Sequence, residues 1–459
     1  MAKFSDLPLE LLPIILVHLI KPHHLASACL VNKLFHTFAV PWLYNHVSIY
    51  SWHKEGKTKV VRLFDTLSRS HQLAKHVHRL EIREFPKSLS NSGITILNTF
   101  SKGLRNCTSL RGCTWTRDGS LSSEILMALH SLQELQELEI NGNSDGNYNP
   151  VYLSHFTRLT KISIIMPRLS VLSQLTAWLP LTAQSLNSFT LICSSSHIVT
   201  DKLLEKLAPS LANVTHLNFT GCLKVTHRGV WAIISSTRIR TLQLKGVSVK
   251  FDLTTFTDRC MRADALRYLR SITLTVDQHT SIKRWTTDVL NLLSSAPLEV
   301  FRIYSTGDLL DATATDYLWT SLVRTHGHRL KKLSVHRMLI SIDSISGICL
   351  FCPSLEELFV LIEPHFLNDL VECLSHAKSL RILHINYPFE ASLNERATIS
   401  QKNALGVVQR CSSTITQIGC NTEVGRTVIV DERGELSVRL ELLSYESPDI
   451  PEAFLVVQT

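Results

Sequence analysis

The sequence has no window of about 18 consecutive apolar residues, the length that a helix needs to cross a bilayer. Its longest stretch without Asp, Glu, Lys or Arg, Leu169 to Thr200, is broken throughout by Ser, Thr, Gln, Asn and Pro180. No membrane span is therefore expected, even with a mean hydropathy of +0.10. Glycine and proline are scarce, 17 and 15 in 459 residues, which excludes collagen-like and low-complexity chains. Disorder of the whole chain is excluded too, because 44% hydrophobic and 19% charged residues can build a large core. Cysteine is thin: eleven, an odd number, spread over the full length without the dense spacing of a small secreted disulfide scaffold. Free thiols in a reducing compartment, cytoplasm or nucleus, are expected. The opening MAKFSDLPLELL carries Asp6 and Glu10 inside its apolar stretch and no small-residue cleavage site after it, so it does not read as a signal peptide. Lys/Arg runs are absent as well, and a formal charge of +8 is mild for this length, so nucleic acid is not an expected partner.

What is present begins in the first fifty residues. Leu7-Pro8 makes an extended entry, after which Leu11, Leu12, Ile15, Leu16 and Leu19 recur at helical spacing, with Pro13 tolerated in the first turn. Lys21-Pro22 stops that helix, and a second helical region runs from His24 to Phe38 with Leu25, Cys29, Leu30, Leu34 and Phe38 on its apolar side. Read in order, Leu7-Pro8-Leu9-Glu10-Leu11-Leu12, Ala28-Cys29-Leu30-Val31-Asn32-Lys33, Phe35 and Pro41-Trp42-Leu43-Tyr44 resemble the F-box, in the style of its fungal members. The resemblance implies docking onto the Skp adaptor, and through it a cullin, with Leu7, Pro8, Leu11, Leu12, Ile15, Leu16, Leu30, Val31 and Phe35 facing the partner or supporting that surface.

From residue 77 onward one hexad returns: apolar, two positions, apolar, one position, apolar. It is VHRLEI at 77–82, LRGCTW at 110–115, LQELEI at 135–140, LTKISI at 159–164, LNSFTL at 186–191 and VTHLNF at 214–219. It continues as IRTLQL at 239–244, LRSITL at 269–274, LEVFRI at 298–303, LKKLSV at 330–335, LEELFV at 355–360, LRILHI at 380–385 and ITQIGC at 415–420. The spacing averages about 28 residues, within the leucine-rich-repeat range. VTHLNFTGCLKVTHRGV (214–230) resembles the cysteine-containing class of that repeat, with Cys222, Val225, Thr226 and Gly229 at the class positions. Helical patterns lie between the hexads, among them one opened by Thr287 as N-cap before Asp288, Val289, Leu290 and Leu293.

The expected fold is α/β: an N-terminal three-helix F-box (1–50), a helical linker (51–76), about thirteen irregular repeats (77–425) with a parallel inner sheet and outer helices, and a C-terminal cap (426–459). In the cap TVIVDERGELSVRLELL reads as a hairpin turning near Arg433-Gly434.

Apparent chemical motifs yield to the repeat reading. Gly142-Asn143-Ser144-Asp145-Gly146 matches G-x-S-x-G, but Asn147, Asn149 and Pro150 continue a turn where a nucleophile elbow needs a helix. As a calcium loop the same stretch begins on Asn and has Tyr152 where a bidentate Glu belongs. Cys349-x-x-Cys352 with Cys373-x-x-His376 has a conceivable zinc spacing, yet these cysteines sit at repeat positions as small hydrophobes. No phosphate-cradling glycine loop is found, so neither an enzyme nor a cofactor is expected.

Binding is what remains. Alternation along each hexad sends the residues just before, between and after the last two apolar positions onto the open sheet face. In early strands these include Glu81, Glu137 and Glu139, expected as a solvated acidic surface. In late strands they are Arg302, Tyr304, Lys332, Ser334, His336, Phe359, Leu361, His384 and Asn386, expected as the site for a protein substrate. There the exposed Phe359 and Leu361 would form a hot spot, and the basic rim would favour an acidic or phosphorylated partner. The reading is a substrate-recognition adaptor of a Skp-cullin-F-box ubiquitin ligase. Its alternative is a non-proteolytic scaffold, on chromatin given a pI near 8.9.

Overall fold

A computed structural model of the chain describes residues 8, 10–19, 22–86, 93–277, 279–306, 312–388, 401–411, 414–420, 423–432 and 435–442. Leu7, the Arg433-Gly434 turn and residues 443–459 lie outside the described residues. The chain is α/β and folds as two compact units, Met1–Cys193 and Ser194–Thr459.

The first unit opens with helices α1 (Leu11–Leu16), α2 (Pro22–Cys29) and α3 (Lys33–Asn45). Pro22 starts α2, where its missing N–H is no loss. Asn32 caps α3, its side chain accepting from Phe35 N at 2.9 Å. Leu16, Leu25, Ala28 and Ala39 make a small shared core, with Leu19, Cys29, Phe35, Phe38 and Leu43 packed against it. Strands β1 (His46–Ile49), β2 (Arg79–Ile82), β3 (Gly112–Trp115), β4 (Glu137–Asn141), β5 (Lys161–Ile165) and the start of β6 (Ser188–Thr200) follow, each parallel to the next. Parallel neighbours need a crossover, and helices such as Gly56–Arg69, Gly93–Asn106 and Ser123–His130 supply it. Val47, Leu80, Cys113, Leu138, Ile162 and Phe189 stand opposite one another. The last five are middle apolar positions of the hexads, and all five are buried.

In the second unit β7 (His216–Lys224), β8 (Thr241–Lys245), β9 (Ser271–Val276), β10 (Val300–Ser305), β11 (Lys332–Leu339), β12 (Glu357–Leu361), β13 (Ile382–Asn386) and β14 (Gln417–Cys420) pair in parallel. Their register aligns Leu217, Leu242, Ile272, Phe301, Leu333, Leu358, Leu383 and Ile418, again the middle apolar residues and again buried. Strand β15 (Glu423–Glu432) runs antiparallel to β14, and β16 (Glu435–Leu442) antiparallel to β15. Carboxylates tie successive repeats together. Asp201, first residue of the helix Asp201–Leu207, accepts from Thr226 N (2.8 Å), Thr226 Oγ1 (2.6 Å) and Gly229 N (3.2 Å) at the start of the next repeat's helix. Asp316 likewise accepts from Ser341 Oγ (2.5 Å) and Ser344 Oγ (2.8 Å).

Two local expectations change. The helix expected from Thr287 starts a turn and a half earlier, at Ile282, with Ser281 at its N-cap position. Buried Trp285 extends the apolar stripe of Val289 and Leu292 upstream, and the Thr287 hydroxyl donates to Lys283 O inside the helix (3.1 Å). In the G-x-S-x-G stretch, Gly142 answers a packing need. A Cβ there would lie 2.5 Å from Pro167 Cα and 2.8 Å from Ile164 Cγ2, so only glycine lets the next repeat approach. Ser144 is buried with its hydroxyl 2.7 Å from Ser170 Oγ. Among the described residues, no helix is long and apolar enough to cross a membrane.

Candidate functional site

The N-terminal helices bury one side and bare another. On α1, Leu12 and Leu16 are buried, while Leu11, Ile14 and Ile15 are exposed together with Val17 just beyond the helix. In the turn between α2 and α3, Leu30 is 87% exposed and Val31 62%. Phe35 is half-buried against the small core and Pro8 is exposed. Six bare aliphatic side chains within 21 residues are more than the scattered single residues expected on a folded surface.

The inner sheet face of the first unit differs from its expectation. Glu81, Glu137 and Glu139 are not a solvated acidic patch but members of an ion-pair network. Glu81 bonds His46 Nε2 (2.9 Å) and Arg83 Nε (3.4 Å); Arg83 also reaches Glu139 (3.2 Å), and Arg79 pairs with Glu137 (3.0 Å). Burial raises the Glu81 carboxyl, but the His46 hydrogen bond and the Arg83 guanidinium outweigh it and hold it at about 2. The hexad rule located these residues. It could not show that the cations one strand away neutralise them.

The inner face of the second unit carries a ladder of rings. Lys245 Nζ sits 4.0 Å over the Tyr304 ring, and Tyr304 stacks on His336 at 4.4 Å and 6°. His336 lies 6.1 Å from Phe359, and Phe359 stacks on His384 at 5.4 Å and 18°. His384 Nε2 is 3.1 Å from Asn386 Oδ1. Each aromatic pair contributes about 0.5–1.5 kcal/mol beyond area burial, and the cation–π contact about 0.5–2 kcal/mol. Burial, then the charges of Lys245, His384 and Arg302, push His336 down to about 3, so it is neutral at ordinary pH. Burial also lowers Lys245 and raises Tyr304.

The structure corrects the expected hot spot here. Phe359 and Leu361 are each 5% exposed, Ser334 5% and His384 2%, so these four are covered side chains rather than open anchors. In-register strands about 4.8 Å apart set side chains at one repeat position against each other, and each ring covers its neighbour. Register also slips between Ser334 and Leu339, where Arg337 takes a positive φ of 57°. Arg302, Tyr304, Lys332, His336 and Asn386 remain half-buried, with Lys332 paired to Glu357 at 2.6 Å. Lys245 is the residue that sequence reasoning missed. The same alternation rule applied to IRTLQL and the Lys after it selects Lys245, but the rule was applied only to later strands.

The cysteines at the zinc-like spacing are buried: Cys349, Cys352 and Cys373. Burial raises all three thiols, and Cys373 Sγ donates to Ile342 O at 3.8 Å. Among the described residues no group of three or more His, Cys, Asp or Glu is set to hold a metal ion.

No family model matches the chain, and no curated protein sequence does. Among solved structures the chain is similar to one in the crystal structure of the Rad7 and Elc1 complex in yeast, at 12% identity and a TM-score of 0.39, covering 73% of this chain and 77% of that one. It is similar at the same identity and TM-score to the leucine-rich repeat-containing protein LegL7 from Legionella pneumophila, covering 68% of this chain and 94% of that one.

Proposed function

We propose that the chain is a substrate-recognition adaptor of a Skp-cullin-F-box ubiquitin ligase. Residues 8–45 would dock the Skp adaptor, and the repeat strands of the second unit would hold a protein substrate on their inner face. The observation that carries this reading is the bare aliphatic set Leu11, Ile14, Ile15, Val17, Leu30 and Val31. Four of these six are residues that the F-box resemblance assigns to the adaptor surface, and Leu12, Leu16 and Phe35 from the same assignment pack beneath them. A small helical unit gains nothing from exposing this much hydrocarbon unless a partner covers it. The antiparallel pair β15–β16 beside β14 fits a terminal covering layer, which shields the edge of a parallel sheet. Bond-making chemistry would belong to the ligase, with this chain raising the local concentration of substrate, in the cytoplasm or the nucleus.

The test is co-purification with the Skp adaptor and a cullin. Ile15→Asp combined with Leu30→Asp puts two charges on exposed positions, so the fold should persist while adaptor recovery falls at least tenfold. Unchanged recovery from a variant with an unchanged melting temperature would remove the reading. Recovery of the adaptor without a cullin would favour the non-proteolytic scaffold.

A further inference from the structure

Charge on the two inner faces is handled differently. In the first unit Arg79, Arg83 and Lys161 each have a carboxylate partner. In the second, Lys332 pairs with Glu357, and Arg270 and Lys331 share Glu299. Lys245 and Arg302 are the exceptions, since among the described residues neither has an ion-pair partner. They are also neighbours in effect. Arg302 and Tyr304 stand two residues apart on β10, so their side chains leave the same face about 6.6 Å apart. The Lys245 ammonium lies over the Tyr304 ring itself. Two cations thus converge on one ring, whose other neighbour, His336, is stacked flat against it.

An ammonium drawn out of water onto an aromatic face without a counter-ion is poised for an anion to complete its shell. The number of cations matters to the choice of anion. A single carboxylate would satisfy one of the pair, whereas a phosphate monoester brings about −1.5 to −2 charges and three acceptor oxygens to a single point. Lys supplies a compact charge and Arg a planar fork of donors, a combination suited to a multi-oxygen group. The geometry points to a phosphoserine- or phosphothreonine-binding corner made by Lys245, Arg302 and Tyr304, with His336 as its wall, which holds a phosphorylated segment of a protein substrate. This rests on the reading of the inner face as the substrate surface, and it moves the anchor away from the covered Phe359.

The full-length chain can be probed with a positional library of phosphoserine peptides, the same library unphosphorylated, and a third with Glu at the phosphorylated position. Binding should favour the phosphorylated set at least tenfold over both others. It should fall at least tenfold in Lys245→Gln with Arg302→Gln, two half-exposed changes that leave the melting temperature unchanged. Equal binding of the three sets, binding that survives the double change, or no binding by any set would overturn the proposal. So would competition by inorganic phosphate without any phosphopeptide binding, which would mark a small-anion site. A photo-crosslinker at position 304 reads the underlying assumption separately. Substrate crosslinks from phosphatase-treated extract, without phosphopeptide preference, would retain the inner face and discard the phosphate.

Discussion

At the scale of single residues, the second unit's inner face is governed by what lies next to each side chain on the neighbouring strand. Gly419 is the sharpest case. A Cβ built there would fall inside the ring of His384, which is itself nearly fully buried and stacked on Phe359. The ring has little room to retreat, because interiors close-packed on both sides do not absorb even a methyl group. Gly419→Ala should therefore cost about 1–3 kcal/mol, the usual range for overpacking. His384→Ala should remove the clash. In a double-mutant cycle of urea unfolding, Gly419→Ala should then be close to neutral in the His384→Ala background, a coupling expected only for residues in contact. Additive costs would show that some other contact confines Gly419. The same neighbour logic explains why the exposure of Phe359 could not be read from the hexad. Alternation gives the face of a side chain, and only the ring on the adjacent strand decides whether water reaches it.

At the scale of the repeat, the register was legible to the residue. The middle apolar positions Leu217, Leu242, Ile272, Phe301, Leu333, Leu358, Leu383 and Ile418 stand opposite one another because a slip by one would turn each strand's apolar set outward. Loop-borne devices were less legible, since they depend on partners about 25 residues away. The register slip after Ser334 leaves no mark in the hexad LKKLSV, and the start of the helix at Ile282 was hidden by a plausible cap at Thr287. Asp201 belongs to the same class. It sits at the start of one helix while its carboxylate satisfies N–H groups at the start of the next, at Thr226 and Gly229. Those donors have no intrahelical acceptor, so losing the carboxylate leaves them unsatisfied. Asp201→Ala should lower stability by about 1–3 kcal/mol, and Asp201→Asn should recover part of it by keeping one acceptor oxygen. Hydrogen exchange should show faster amides at Gly229 and along 227–234 in the alanine variant; unchanged exchange there would mean the clamp contributes nothing to that helix.

At the scale of the whole molecule, the bare aliphatic residues belong to the first compact unit, and Lys245, Arg302 and Tyr304 belong to the second. The two groups share no contact partner and use different physics: one is hydrocarbon withdrawn from water, which is nearly insensitive to salt, and the other is charge, which is screened. An adaptor that joins a ligase to a substrate works by co-localisation and requires no coupling free energy between its two binding events. The expectation is that they are separable in both directions. Ile15→Asp with Leu30→Asp should abolish adaptor recovery and leave phosphopeptide affinity within twofold of wild type. Lys245→Gln with Arg302→Gln should do the reverse. Raising salt from 50 to 500 mM should weaken phosphopeptide binding several-fold while adaptor binding holds, because the Debye length falls from about 14 Å to about 4 Å over that range. If either pair of substitutions changed both affinities by more than about threefold, the units would be energetically coupled. Adaptor engagement would then regulate substrate capture, and co-localisation alone would no longer describe the chain.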